Sequence, residues 1–174
     1  MEDEKDRTAK MMRFTFGPLD PKAHDRKNFS CGKEPLDIYL RAQASQDLER
    51  NYVTCWVAAT AEGRIAGYFT LTAHCIPLEN LPEAFRKGLP SRIPVPAALL
   101  GRLAVAQQFK GQGLGEILIT YALTTAARSG NAAHMLVVDA LDENAAAFYR
   151  HLGFHGFPSA PTRFFMPLAY FRAE

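Results

Sequence analysis

Residues 96–115 read Pro-Ala-Ala-Leu-Leu-Gly-Arg-Leu-Ala-Val-Ala-Gln-Gln-Phe-Lys-Gly-Gln-Gly-Leu-Gly. The first ten are almost continuously apolar, as in a strand buried on both faces. A short polar segment, Ala106 to Phe109, separates them from glycines at 111, 113 and 115. A helical pattern starts at once: Leu114, Ile117, Leu118, Tyr121, Ala122 and Thr125 recur at three and four residues and define one packed face. Gly130-Asn131 stops it.

Strand, glycine loop and helix in that order have a specific physical use. Residues without Cβ admit unusual φ values and let a ligand approach the backbone. The first N–H groups of the helix have no internal partner and lie at the positive end of its dipole, so they suit an anion such as a pyrophosphate. A nucleotide-triphosphate loop needs Lys and then Ser or Thr after its last glycine. Glu116-Ile117 stand there instead. A dinucleotide fold needs GxGxxG and an acid about twenty residues on. The spacing here is GxGxG, and Asp139 lies at the wrong distance. A glycine-rich turn without a ligand is the other reading of the bare loop.

Upstream, Arg13 to Phe16 alternates like a first strand. A helix is expected from Glu34 to about Arg50, with Pro35 in its first turn, where a missing N–H costs nothing. Tyr52–Ala59 and Ile65–Ile76 read as a hairpin around Ala61–Arg64, and a short helix is expected near Leu81–Lys87. Downstream, His134 to Ala140 reads as a strand. Asp142 is a plausible N-cap of a helix to about His151 that Gly153 stops. Phe154 to Thr162 reads as an aromatic, proline-rich loop, and Arg163 to Leu168 as a last strand. The expected fold is α/β, a central mixed twisted sheet with helices on both faces. Residues 1–12 are expected to be a flexible tail and 13–174 one domain.

The chain has 174 residues, 48% hydrophobic, enough for a real core. No apolar run is long enough to span a bilayer. The acidic start, Met1-Glu2-Asp3-Glu4-Lys5-Asp6, lacks a secretory h-region, so a cytoplasmic protein is expected. Cys31, Cys55 and Cys75 form no CxxC, fit a reducing compartment and read as packing residues. No metal is expected. Residues 1–6 carry a net −3 out of a total of +2, leaving +5 on the rest. Lys22, Arg26, Lys27 and Lys33 cluster early, and Arg86, Lys87 and Arg92 mid-chain. They are phosphate contacts or plain solvated surface.

Gly101 to Val105 followed by Phe109 to Gly115 resembles motif A of the GNAT superfamily of N-acetyltransferases. Asn144 to Phe154 (Asn-Ala-Ala-Ala-Phe-Tyr-Arg-His-Leu-Gly-Phe) resembles its motif B. Lys110 stands where that superfamily usually has Arg or Gln; it keeps the charge and loses the planar fork. More narrowly, Ile93-Pro94-Val95, Leu100 to Val105, Val137 to Ala140, Phe29 to Gly32 and Leu36 to Leu40 resemble the acetyltransferase toxins of bacterial toxin–antitoxin pairs. That resemblance implies acetyl-CoA as cosubstrate, aminoacyl-tRNA as acceptor, a ribbon–helix–helix antitoxin and a homodimer. A GNAT enzyme acetylating a protein N-terminus, a lysine or a small amine is the alternative.

The resemblance also implies roles. Backbone N–H groups of Gly111, Gln112, Gly113, Leu114 and Gly115 hold the pyrophosphate, with Lys110 adding charge at the rim. The backbone of Leu103 and Val105 pairs with the pantetheine arm, and the Val105 N–H serves as oxyanion donor. Asn144 hydrogen-bonds the pantetheine, or is a solvent-facing Asn of a first helical turn. Tyr149 is the acid for the departing thiolate, since its phenol stays protonated where a thiol would not. Phe148 is expected in the core. No base stands out: His74, His151, Glu116 and a water relay are all open, and His134 reads as structural. Arg86, Lys87, Arg92, Arg102 and Arg150 are candidates for tRNA phosphates, with Arg102 alternatively in an internal ion pair.

Overall fold

A computed structural model describes residues 4–5, 8–9 and 13–172. Most of the tail expected over 1–12 therefore lies outside the described residues. Strand β1 (Thr15–Pro18) begins two residues later than the alternation predicts. Helix α1 (Glu34–Ile38) has Pro35 in its first turn, as expected, and passes through a π-helical turn (Tyr39–Gln43) into α2 (Ala44–Glu49). The widened turn shows in the Ala44 N–H, which donates to the Tyr39 carbonyl five residues back.

The hairpin forms as predicted. Strands β2 (Thr54–Ala59) and β3 (Ile65–Ile76) flank a turn with Gly63 at φ 81°. Its Thr60 N–H donates to the Arg64 carbonyl at 2.9 Å. A 3₁₀ turn (Leu78–Asn80) and α3 (Glu83–Arg86) lead to β4 (Val95–Val105). A further 3₁₀ turn (Gln107–Phe109) precedes α4 (Leu114–Arg128), then β5 (Met135–Asp139) and α5 (Glu143–His151). Asp142 caps α5 as expected, its carboxylate accepting from the Ala145 N–H at 2.8 Å.

Two expectations fail. Phe154–Thr162 is not a loop: β6 (His155–Phe157) and β7 (Ala160–Pro167) occupy it. Prolines and Gly156 interrupt the alternation there, while pairing of β6 with β7 (His155↔Phe165, Gly156↔Phe164 and Phe157↔Ala160) supplies the order from outside. Nor is β4 buried on both faces. Pro96 and Gly101 are exposed, and Leu99, Leu103 and Val105 are half-buried. Its parallel pairing with β5 runs only from Ala97↔Met135 to Leu100↔Val138.

The seven strands are ordered β1-β2-β3-β4-β5-β7-β6, with β4–β5 parallel and β1–β2, β5–β7 and β6–β7 antiparallel. Contacts divide the chain into two compact units. The first runs to Thr70 and includes Arg102–Thr120; the second holds Leu71–Gly101 and the chain from Tyr121 onward. The first unit's core gathers Phe29, Tyr39, Leu40, Val57, Ile65 and Tyr68. The second's gathers Ile76, Val95, Met135, Val137, Phe157 and Phe165. Among the described residues no helix is long and apolar enough to cross a membrane.

Candidate active site

The glycine loop of the first unit starts from a fixed point. Lys110 Nζ donates to the Cys31 carbonyl at 2.5 Å. The Cys31 N–H donates to Oδ1 of the buried Asp37 at 2.8 Å, and the Gln107 N–H donates to the Ser30 carbonyl at 2.9 Å. The 30–31 backbone is thus gripped by both sides of the site. The charge expected at the loop's rim is engaged with this carbonyl.

Gly111 and Gly113 then take φ of 75° and 79°, the left-handed region that disfavours any side chain. A Cβ at either would meet nothing within 4 Å, so the space in front of the loop is open. Among the described residues, no N–H of residues 111–115 donates to a backbone carbonyl, whereas the Ile117 N–H donates to Gly113 at 3.3 Å. Leu114 is buried and anchors the helix start. Five adjacent donors at the positive end of a four-turn helix make an anion cradle.

Behind the cradle, Gly67 lets α4 pack closely on β3. A Cβ there would lie 2.6 Å from Leu118 Cδ1 and 3.0 Å from the Ala104 carbonyl oxygen. Sequence reading passed over Gly67, because its need arises from helix–strand packing and not from its neighbours. Leu103 and Val105 lie in the part of β4 past its last pair with β5, where backbone groups on that edge are left for another partner.

In the second unit, α5 carries Asn144 and Tyr149. Asn144 is exposed in the first turn. Tyr149 is buried, ringed by Phe148, Phe154 and Phe164 at centroid distances of 5.5, 5.4 and 6.3 Å. The core position expected for Phe148 belongs to Tyr149, while Phe148 is half-buried. Ala146 and Tyr149, three apart, form the buried stripe of the helix, and Phe148 falls off it. Burial, with the Asp139 charge adding, pushes the Tyr149 phenol up to about 12. It therefore holds its proton at neutral pH and can donate it.

The cations divide by what they touch. Arg102 lies 3.5 Å from the centroid of the Tyr39 ring, a cation–π contact in place of the ion pair considered from sequence. Arg86 donates to the Leu81 carbonyl at 2.6 Å and to the Glu79 carbonyl at 3.1 Å. Arg150 pairs with Glu143. Arg26 donates to Ser45 Oγ and to the Leu40 carbonyl. Lys87 and Arg92 are exposed. Among the described residues no His, Cys, Asp and Glu group is placed to hold a metal.

Residues 22–154 match the family model described as the acetyltransferase (GNAT) family. The chain belongs to that family. Among curated GNAT relatives, "Probable toxin TacT" of Sinorhizobium fredii is 31% identical over 90% of this chain and 92% of its own. A "tRNA-acetylating toxin" of Mycobacterium tuberculosis is 31% identical over 87% and 90%. Among solved structures, a KacT mutant with tyrosine replaced by phenylalanine has a TM-score of 0.84 at 26% identity, covering 91% of this chain and 97% of that one. AtaT in complex with acetyl-methionyl-tRNA has a TM-score of 0.81 at 28% identity, covering 88% and 94%. AtaT with its partner AtaR and acetyl-CoA gives 0.76 at 25%, covering 92% and 96%. The mixed seven-stranded sheet is therefore the GNAT fold expected from motifs A and B.

Proposed function

We propose that this chain is a toxin that transfers acetyl from acetyl-CoA to the amino group of aminoacyl-tRNA and so blocks translation. The observation that carries this is the run of undonated N–H groups at 111–115, in a chain resembling a tRNA-acetylating toxin over 87% of its length. Gly111, Gln112, Gly113, Leu114 and Gly115 hold the pyrophosphate with main-chain N–H groups. The two glycines with positive φ leave the room that phosphate oxygens need. The free edge of β4 at Leu103 and Val105 takes the pantetheine amides as a strand would. The Val105 N–H serves as oxyanion donor, and Asn144 bonds the pantetheine.

When bound, the coenzyme supplies an activated thioester. Tyr149 keeps its proton until the thiolate leaves and then gives it up. Lys87 and Arg92, on the exposed surface, meet tRNA phosphates, which makes binding salt-sensitive. The antitoxin is of the ribbon–helix–helix class, the enzyme is a homodimer, and it works in the cytoplasm. The AtaT complexes with tRNA and with AtaR support an acceptor and a partner of these kinds.

The test is incubation with labelled acetyl-CoA and total charged tRNA beside a panel of amines. Label on tRNA-bound amino acids is expected. Label on a free amine, peptide N-terminus or lysine alone would overturn the acceptor assignment. Expression in cells should arrest growth, and Tyr149→Phe should relieve the arrest.

A further inference from the structure

Three strands of the second unit share an apolar cluster containing Ile76 of β3, Val137 of β5 and Phe165 of β7. Side chains two residues apart on a strand point to one side. His74, Asp139 and Arg163 each stand two residues from one of those three, so this apolar surface ends in an imidazole, a carboxylate and a guanidinium. Asp139 and Arg163 are register partners, joined fork to fork at 2.8 and 2.9 Å. Beside them lies a cavity of about 140 Å³ lined by His74, Cys75, Asn80, Phe157, Ser159 and Arg163. It is well below the roughly 300 Å³ of ordinary small-molecule sites, which suits an amino-acid-sized group and excludes a nucleotide.

The half-buried His74 ring has no hydrogen bond among the described residues. Burial holds its pKa below the ordinary histidine value, and two charged groups act on it: Arg163 from β7, which adds to this lowering, and Asp139 from β5, which opposes it. Its imidazole is thus neutral at physiological pH and free to accept a proton. Tyr149 packs on Phe164, the strand neighbour of Arg163 that points the opposite way, and the Asp139 charge reaches Tyr149 as well. His151, the other histidine open as a base, is exposed at the end of α5 and does not line the cavity.

We propose that this cavity receives the aminoacyl end of the acceptor and that His74 is the base that takes the proton of its ammonium group. The assignment rests on the acetyltransferase function proposed above. His74 removes one proton from R–NH₃⁺ and passes it to water. The freed lone pair forms the C–N bond to the acetyl carbon and the C–S bond breaks. Sulfur takes the Tyr149 proton, and the second amine proton returns to the Tyr149 oxygen. Burial, with Arg163 adding, keeps the histidine unprotonated between turnovers, and Asp139 keeps Arg163 from repelling an incoming ammonium.

The test compares wild type, His74→Gln and His74→Ala in acetyl transfer to charged tRNA between about pH 5 and 8. Wild-type kcat/KM is expected to show an acid limb from His74 and an alkaline limb from loss of the ammonium form. Both variants should lose the His74 limb, fall about 100-fold at neutral pH, regain rate on added imidazole and bind acetyl-CoA as wild type does. The wild-type His74 imidazole resonances should shift when an amino-acid methyl ester is added. Variants that bind acetyl-CoA normally and keep wild-type rate and both limbs would overturn the base assignment, and unmoved resonances would overturn the cavity assignment. If wild type acetylates a free amine and no tRNA, only the acceptor is wrong, and the same profile on that amine decides His74.

Discussion

The two polar regions of this molecule are built by opposite means. The cradle at 111–115 is main chain: its donors are N–H groups, its shape is set by two positive φ angles, and any residues allowing those angles would serve. The cluster of His74, Asp139 and Arg163 is side chain, drawn from three strands and set by register. In the proposed reading the first region grips whatever carries a diphosphate and the second discriminates among acceptors. Binding and chemistry should therefore fail separately.

The largest effect is expected from Tyr149→Phe. Removing the hydroxyl should lower kcat by about 100-fold or more, and acetyl-CoA affinity by calorimetry should stay within about twofold, since affinity resides in the main chain. The converse is Gly113→Val, which forces a β-branched residue to φ 79°. A strain of roughly 1–3 kcal/mol and a side chain in the space before the loop should weaken acetyl-CoA binding about 30-fold, with kcat at saturation nearly kept. If either variant moves both quantities equally, the two regions are not separable.

Gly67→Ala tests the frame behind the cradle. Its Cβ would press on Leu118 and the Ala104 carbonyl, an overpacking cost of about 1–3 kcal/mol. A fall in Tm of roughly 3–10 °C is expected, with weaker acetyl-CoA binding only if α4 is displaced.

The smallest effect concerns pH. Burial holds the pKa of His74 and of His134 below the ordinary value, with Arg163 and Arg172 adding to this. Unfolded chains bind these protons more readily, so stability is full above about pH 6.5 and declines as pH falls through the lower folded values. A melting series should show that slope, and His134→Gln should reduce it. A Tm that rises on acidification would contradict both shifts.

The same contrast decides what could be read in advance. Gly111, Gly113, Asp142 and Pro35 act through neighbours within about four residues, so their roles are legible in a linear chain. So is the hairpin turn at Gly63. His74 could be named as one base among several, but its meeting with Asp139 and Arg163 depends on pairings nearly ninety residues apart in sequence. Strand β6 and the first residues of β7 escaped because their order comes from pairing with each other across the sheet edge and not from their own interrupted pattern. The buried position went to Tyr149 and not to Phe148 because adjacent aromatics on a helix cannot be ranked until the partner face is known. Lys110, expected to point its charge at a ligand, is tied to Cys31 by a contact spanning 79 residues.

That last tie has a consequence for assembly. A bond closing so long a stretch of chain forms late, after the intervening entropy has been lost. The glycines alone, cut out as a peptide, would have the right composition and no fixed wall to stand against. Removing the first thirty-odd residues would leave motifs A and B intact yet take away the carbonyl that locates Lys110. On the proposed function, competence to hold the coenzyme is thus conferred on the loop by a remote segment, and it arrives only when that segment has folded.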